Sequence, residues 1–128
     1  MKYIYLLFFF SISLLNAQIV DVTLRVDMQN QTVTTNGVYV AGSFNNWSTN
    51  TTSLSDADGD QVYEVTLSLS ANSGYEFKFI NDTSWENNLS GSCANNFGNG
   101  PNRWLSIGSN DQVEPAYQFG SCNVIVFY

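Results

Sequence analysis

From Val20 onward the chain alternates: Val20, Val22, Leu24, Val26 and Met28 are apolar, and Asp21, Thr23, Arg25 and Asp27 between them are polar. A period of two places the apolar side chains on one face of an extended strand; a helix, with a period of about 3.6, would scatter them around its surface. The same alternation returns in Tyr63, Val65, Leu67 and Leu69, and again in Tyr75, Phe77 and Phe79, with Ala71 to Gly74 as the turn between these runs. Val38 to Gly42 is a further apolar run, bounded by Asn36-Gly37 and Asn45-Asn46. Trp104 to Ile107 and Val113 to Phe119 also read as strands, the second confined by Pro115 to an edge or bulge. No window keeps a helical period. Short strands separated by turn signals predict an all-β, immunoglobulin-like antiparallel β-sandwich, and 128 residues with 44% hydrophobic content supply one core.

The first residues read differently. Lys2 is followed by an apolar run from Tyr3 to Leu15, broken only by Ser11 and Ser13, and Leu15-Asn16-Ala17 ends on a small residue. Residues 1–17 are therefore expected to be a secretory signal peptide, with residues 18–128 as a single domain. The competing reading, a membrane anchor, needs about 20 apolar residues and a positive stop, and the run has neither. The expected destination is the periplasm, the cell surface or the medium. There the two cysteines, Cys93 and Cys122, would form a disulfide; free thiols, or a bridge to a continuation of the chain, are the alternatives. Without the signal, Arg25, Lys78 and Arg103 are the only cations against 11 acidic residues, a balance that disfavours nucleic acid and anionic membrane surfaces as partners.

The chain contains no histidine, which excludes serine triads and most zinc sites. Carboxylates alone can hydrolyse glycosides, but Glu64, Glu76 and Glu86 read as ordinary exposed positions, and no catalytic residue is expected. Asp56, Asp58 and Asp60 alternate around Gly59 and offer hard oxygen ligands for calcium, the one cofactor the residues suggest. The alternative is a turn in which the aspartates bond their own backbone. Trp47 and Trp85 both come from amide-rich, loop-like sequence, and Lys78 alternates out of phase with Tyr75, Phe77 and Phe79. An exposed indole beside amides and an ammonium suits a sugar ring, whose C–H face lies on the π face while its hydroxyls meet polar groups. The alternative for each indole is a rim residue packed on its own loop.

These landmarks have a familiar order. The run Val38-Tyr39-Val40-Ala41-Gly42-Ser43-Phe44-Asn45-Asn46-Trp47, then Tyr75-Glu76-Phe77-Lys78-Phe79, Trp85 and Asn102 resemble starch- and glycogen-binding modules, among them the glycogen-binding domain of AMP-activated protein kinase β subunits. The resemblance extends from about Val22 to Ile107 and implies an early-set immunoglobulin-like fold. It also implies that Trp47 and Trp85 stack on glucose units while Lys78 and Asn102 bond their hydroxyls. The chain departs from the family pattern in its long segment from Asn87 to Gly100, held by Cys93, which would lengthen the groove or cover it. It departs also in the acidic turn and in an apolar tail, Asn123 to Tyr128, that is either a last strand or the edge of a longer multidomain protein. The leading expectation is a secreted, non-catalytic module for α-glucans. The alternatives are a structural or adhesive sandwich without a sugar site and, more remotely, a small glycosidase.

Overall fold

The computed structural model describes residues 2–4, 10–96 and 100–126. Parts of the expected signal peptide (1 and 5–9), of the long loop (97–99) and of the tail (127–128) lie outside these residues. Among the described residues ten strands follow one another: β1 (Ile19–Asp27), β2 (Val38–Gly42), β3 (Ser53–Leu54), β4 (Val62–Ser70), β5 (Gly74–Asn81), β6 (Ser84–Trp85), β7 (Ala94–Asn95), β8 (Asn102–Ser106), β9 (Gln112–Val113) and β10 (Tyr117–Gln118). No helix among the described residues is long and apolar enough to cross a membrane. Residues 10–18 precede the first strand, with Phe10, Ile12, Leu14 and Leu15 exposed.

The strands form two sheets. In the first, β1 pairs antiparallel with β4, from Ile19 opposite Ser70 to Asp27 opposite Val62. Its other edge takes β9 and β10 in parallel, with Val22 opposite Gln112 and Val26 opposite Tyr117. The sandwich is thus antiparallel except along this edge. Pro115 accounts for the break between β9 and β10, since it cannot donate to the ladder. The expected strand from Val113 to Phe119 is therefore two short pieces, bridged where the Arg25 Nε donates to the Glu114 carbonyl at 2.8 Å. The second sheet runs β3-β2-β5-β8-β7, with β6 folded back on the end of β5. The turn at Ala71 to Ser73 does not close a hairpin, because β4 belongs to one sheet and β5 to the other.

The core lies between the sheets. Val20, Val22, Leu24 and Val26 of β1 face Val38, Val40, Phe77, Phe79 and Leu105, and Phe77 meets Phe79 edge-on at 5.4 Å. Burying each such aliphatic or aromatic side chain contributes about 1.5–3 kcal/mol. The alternation of β1 is thus satisfied on one side only, which leaves the outer face of each sheet free for other uses.

One expectation fails in the core. Glu86, read from sequence as exposed, is only 1% accessible, as is Arg103. The Arg103 Nε donates to Glu86 Oε1 at 2.7 Å and its Nη2 to Oε2 at 2.8 Å. The Phe79 and Gly120 amides donate to the same two oxygens at 2.9 and 3.0 Å. The guanidinium also lies 5.2 Å from the ring centroids of Phe79 and Tyr117 and donates to the Ser121 carbonyl at 3.0 Å. Burial is tolerated because every charge has partners. Cys93 and Cys122 are joined in a disulfide with a Cα–Cα distance of 5.3 Å, and the Arg103 Nη1 lies 3.3 Å from Cys93 Sγ. The tail makes one bridge, from Val124 to Tyr117.

Candidate functional site

Residues directly opposite on antiparallel neighbours share a face. On the outer face of the second sheet, Tyr39 lies opposite Ile80, and Ile80 opposite Trp85. One row further along β5, Ala41 lies opposite Lys78; beyond it Glu76 lies opposite Trp104. Asn102, two residues before Trp104 on β8, has the same parity and pairs with Asn95. Lys78 and Asn102 are half-buried on this face, and Phe77 and Phe79 point the other way into the core. Lys78 is the only cation of this face among the described residues, since Arg103 is turned inward and Arg25 belongs to the other sheet.

Trp47 reaches the same face from the loop after β2, and that loop is built residue by residue. Gly42 is required by crowding: a Cβ there would come within 2.5 Å of the Glu76 carbonyl and 2.7 Å of the Phe77 Cβ. Phe44 anchors the turn, with its ring 6.0 Å from Tyr75 and 6.4 Å from Phe77. Asn45 cross-links it: Oδ1 accepts from the Gly42 amide at 2.9 Å, and Nδ2 donates to the Val40 carbonyl and the Thr52 hydroxyl, both at 3.1 Å. Asn46 and Trp47 then take φ values of 54° and 58°, and the Trp47 amide closes back on the Gly42 carbonyl at 2.9 Å. A left-handed conformation is unusual for a bulky residue and costs about 1–2 kcal/mol, and such strain gathers at functional sites.

The two indoles meet. The ring centroids of Trp47 and Trp85 are 6.3 Å apart with their planes inclined by 47°, and Trp85 is 39% exposed. Trp85 is not in a loop, as its sequence context had suggested, but in β6, immediately before the buried Glu86. The ion pair to Arg103 therefore fixes the end of the hairpin that carries the indole. Trp47, Trp85, Lys78 and Asn102, selected separately along the sequence, thus fall on one face of one sheet.

A family model for the glycogen recognition site of AMP-activated protein kinase matches residues 25–113. The chain belongs to this family. Among solved structures, this glycogen-recognition family member is similar in fold to a glycoside hydrolase family 15 glucoamylase from Hypocrea jecorina, with a TM-score of 0.56 and 22% identity. The match covers 81% of this chain and 18% of the glucoamylase, so the chain spans less than a fifth of that enzyme. No curated protein sequence matches it.

The acidic turn lies elsewhere, before β4. The carboxylates of Asp56, Asp58 and Asp60 come within 4.8 Å of one another. Each also accepts from the backbone: Asp56 from the Asp60 and Gln61 amides at 3.0 and 3.1 Å, Asp58 from the Asp60 amide at 3.4 Å, and Asp60 from Val62 at 2.8 Å. Lost hydration, together with the Asp60 and Asp56 side chains, pushes the Asp58 carboxyl above its ordinary value, against a backbone bond that lowers it.

Two features had no place in the sequence reading of the site. One is the Glu86–Arg103 pair, hidden because the residue types suggest exposure. The other is Trp104, which is 50% exposed on the same outer face. Its parity with Asn102 is the signal that could have found it.

Proposed function

We propose that this chain is a secreted, non-catalytic module that binds α-glucan chains on the outer face of its second sheet. Trp47 and Trp85 stack on neighbouring glucose units, and Lys78 and Asn102 bond their hydroxyls. The observation that carries the reading is the inclined indole pair, 6.3 Å apart at 47°, one row along β5 from the cation of that face. An α-1,4-linked chain curves, so that its successive rings are tilted; inclined platforms suit it, whereas a flat β-1,4 ribbon needs coplanar ones. The strained Trp47 backbone supports a functional use of the indole over a merely structural one.

The remaining features agree with this reading. The acid most deeply placed, Glu86, has both carboxylate oxygens occupied by four protein donors. The disulfide and the apolar stretch ahead of β1 suit an exported protein whose first 17 residues are a signal peptide. Other domains of a longer extracellular protein would then supply any chemistry.

Affinity electrophoresis and calorimetry against a glycan panel test the proposal, with Trp47→Ala and Trp85→Ala in parallel. By analogy with bases stacked on aromatic side chains, about 1–3 kcal/mol each, either substitution weakens starch or glycogen binding about fivefold or more. No binding to any α-glucan, or binding untouched by both substitutions, would point instead to a structural or adhesive sandwich.

A further inference from the structure

The segment from Asn87 to Gly100 is the chain's main departure from the family pattern, and its described part has a definite shape. Cys93 is buried and bonded to Cys122, β7 pairs with β8, and the Trp104 amide donates to the Cys93 carbonyl at 3.2 Å. These three ties hold Ser92, Ala94 and Asn95 as one wall of a groove of about 320 Å³ that is also lined by Trp104. The indole lies across Gly74: a Cβ at that position would overlap its six-membered ring. Glycine there lets the ring lie close to the sheet.

Trp85 and Trp104 both flank the same edge of β5, opposite Ile80 and Glu76. Four residues of strand separate these positions, and because the Trp104 ring lies over Gly74, two residues further on, the platforms are about 20 Å apart along β5. Lys78 projects between them, nearer Trp85, and the register extended by one row puts Asn102 beside it. The track thus runs from the inclined pair, past an ammonium and an amide, to a third indole. That indole has polar neighbours of its own, with the Asn95 Nδ2 donating to Glu76 Oε1 at 3.3 Å.

We infer that Trp104 is a third sugar platform, walled by the disulfide-anchored loop, that binds the continuation of an α-glucan chain seated on Trp47 and Trp85. The added loop lengthens the groove and makes the module selective for long chains. This rests on the α-glucan reading of the Trp47–Trp85 pair. A chain confined to the pair stops short of Trp104, and a longer one reaches it.

The test is an NMR titration of the intact domain with maltose and with maltoheptaose, for the wild type, Trp104→Ala, Trp104→Tyr and Gly74→Ala. Trp104→Ala is expected to weaken maltoheptaose binding about fivefold or more and to leave maltose binding unchanged. Trp104→Tyr retains most of the long-chain affinity, and Gly74→Ala, which displaces the ring, loses it. Trp47→Ala weakens both ligands. If Trp47→Ala weakens both while Trp104→Ala weakens neither, the third platform is refuted and the pair stands. Equal losses for both sugars in Trp104→Ala would make its role structural and also refute the inference. If no α-glucan binds the wild type, both readings fall.

Discussion

Replacing Glu86 with glutamine changes one atom at the centre of the Arg103 cluster and should unfold much of the population on mild heating. Two carboxylate oxygens there accept from four donors: Nε and Nη2 of Arg103 and the Phe79 and Gly120 amides. A glutamine keeps one oxygen and turns an NH₂ toward the other two donors. Each unsatisfied buried donor costs about 1–3 kcal/mol, and leaving one partner of a buried ion pair unpaired costs about 3–5 kcal/mol in all. For a domain near 100 residues this lowers Tm by about 15 °C or more. Urea unfolding followed by far-ultraviolet circular dichroism would show the midpoint falling with the slope unchanged. The double variant Glu86→Leu/Arg103→Met removes both charges and keeps apolar bulk, so it should be more stable than either single variant. A loss under about 1 kcal/mol for Glu86→Gln, or additive losses in the cycle, would refute the cluster as a mutually dependent unit.

Four further outcomes are expected. Replacing both Cys93 and Cys122 with alanine, a cross-link separation of 29 residues, lowers stability by about 3–4 kcal/mol in chemical denaturation, and an unchanged midpoint would contradict this. Asn45→Ala removes the cross-links under Trp47, so NMR relaxation should show the loop gaining motion and sugar affinity should drop; a rigid loop would mean Phe44 alone suffices. Because the raised Asp58 carboxyl takes up a proton more readily folded than unfolded, its charge opposes folding above the carboxylate range, and the opposition lifts as pH falls through that range. Asp58→Asn therefore raises Tm at neutral pH, with the gain fading at acid pH, and a lower Tm at neutral pH would overturn the reading. Millimolar calcium leaves the Tm of a self-bonded turn unchanged, whereas a rise that Asp58→Asn abolishes would make the turn a cation site.

The long strands were legible because burial on one face writes a period of two into sequence. In β1 it places Val20 to Val26 correctly, and in β5 it separates Lys78 from Phe77 and Phe79. Strands of two residues, such as β3, β6 and β7, are too short to carry a period. The parallel edge joins residues about as far apart as the domain allows, Val22 with Gln112, and nothing local announces it. In β8 the signal is present but inverted. Arg103 occupies the inward phase with Leu105, and Trp104 the outward phase, so residue type and position disagree at two neighbours. Glu86, the partner that makes an inward arginine tolerable, is 17 residues away. The candidate site was legible where chemistry is unusual, at exposed-context tryptophans and a lone lysine, and illegible where it depends on that distant pairing.

The parallel edge also decides how the domain bears tension. Because β1 and β10 run the same way, a pull backward on the start of β1 and forward on the end of β10 loads their ladder in shear, so the hydrogen bonds must yield together. The disulfide passes part of a load applied at Cys122 to Cys93 and the other sheet. It also withholds the 29-residue segment between them, about 100 Å of contour, from extension. Under such a load the sandwich would give way abruptly at high force and lengthen little.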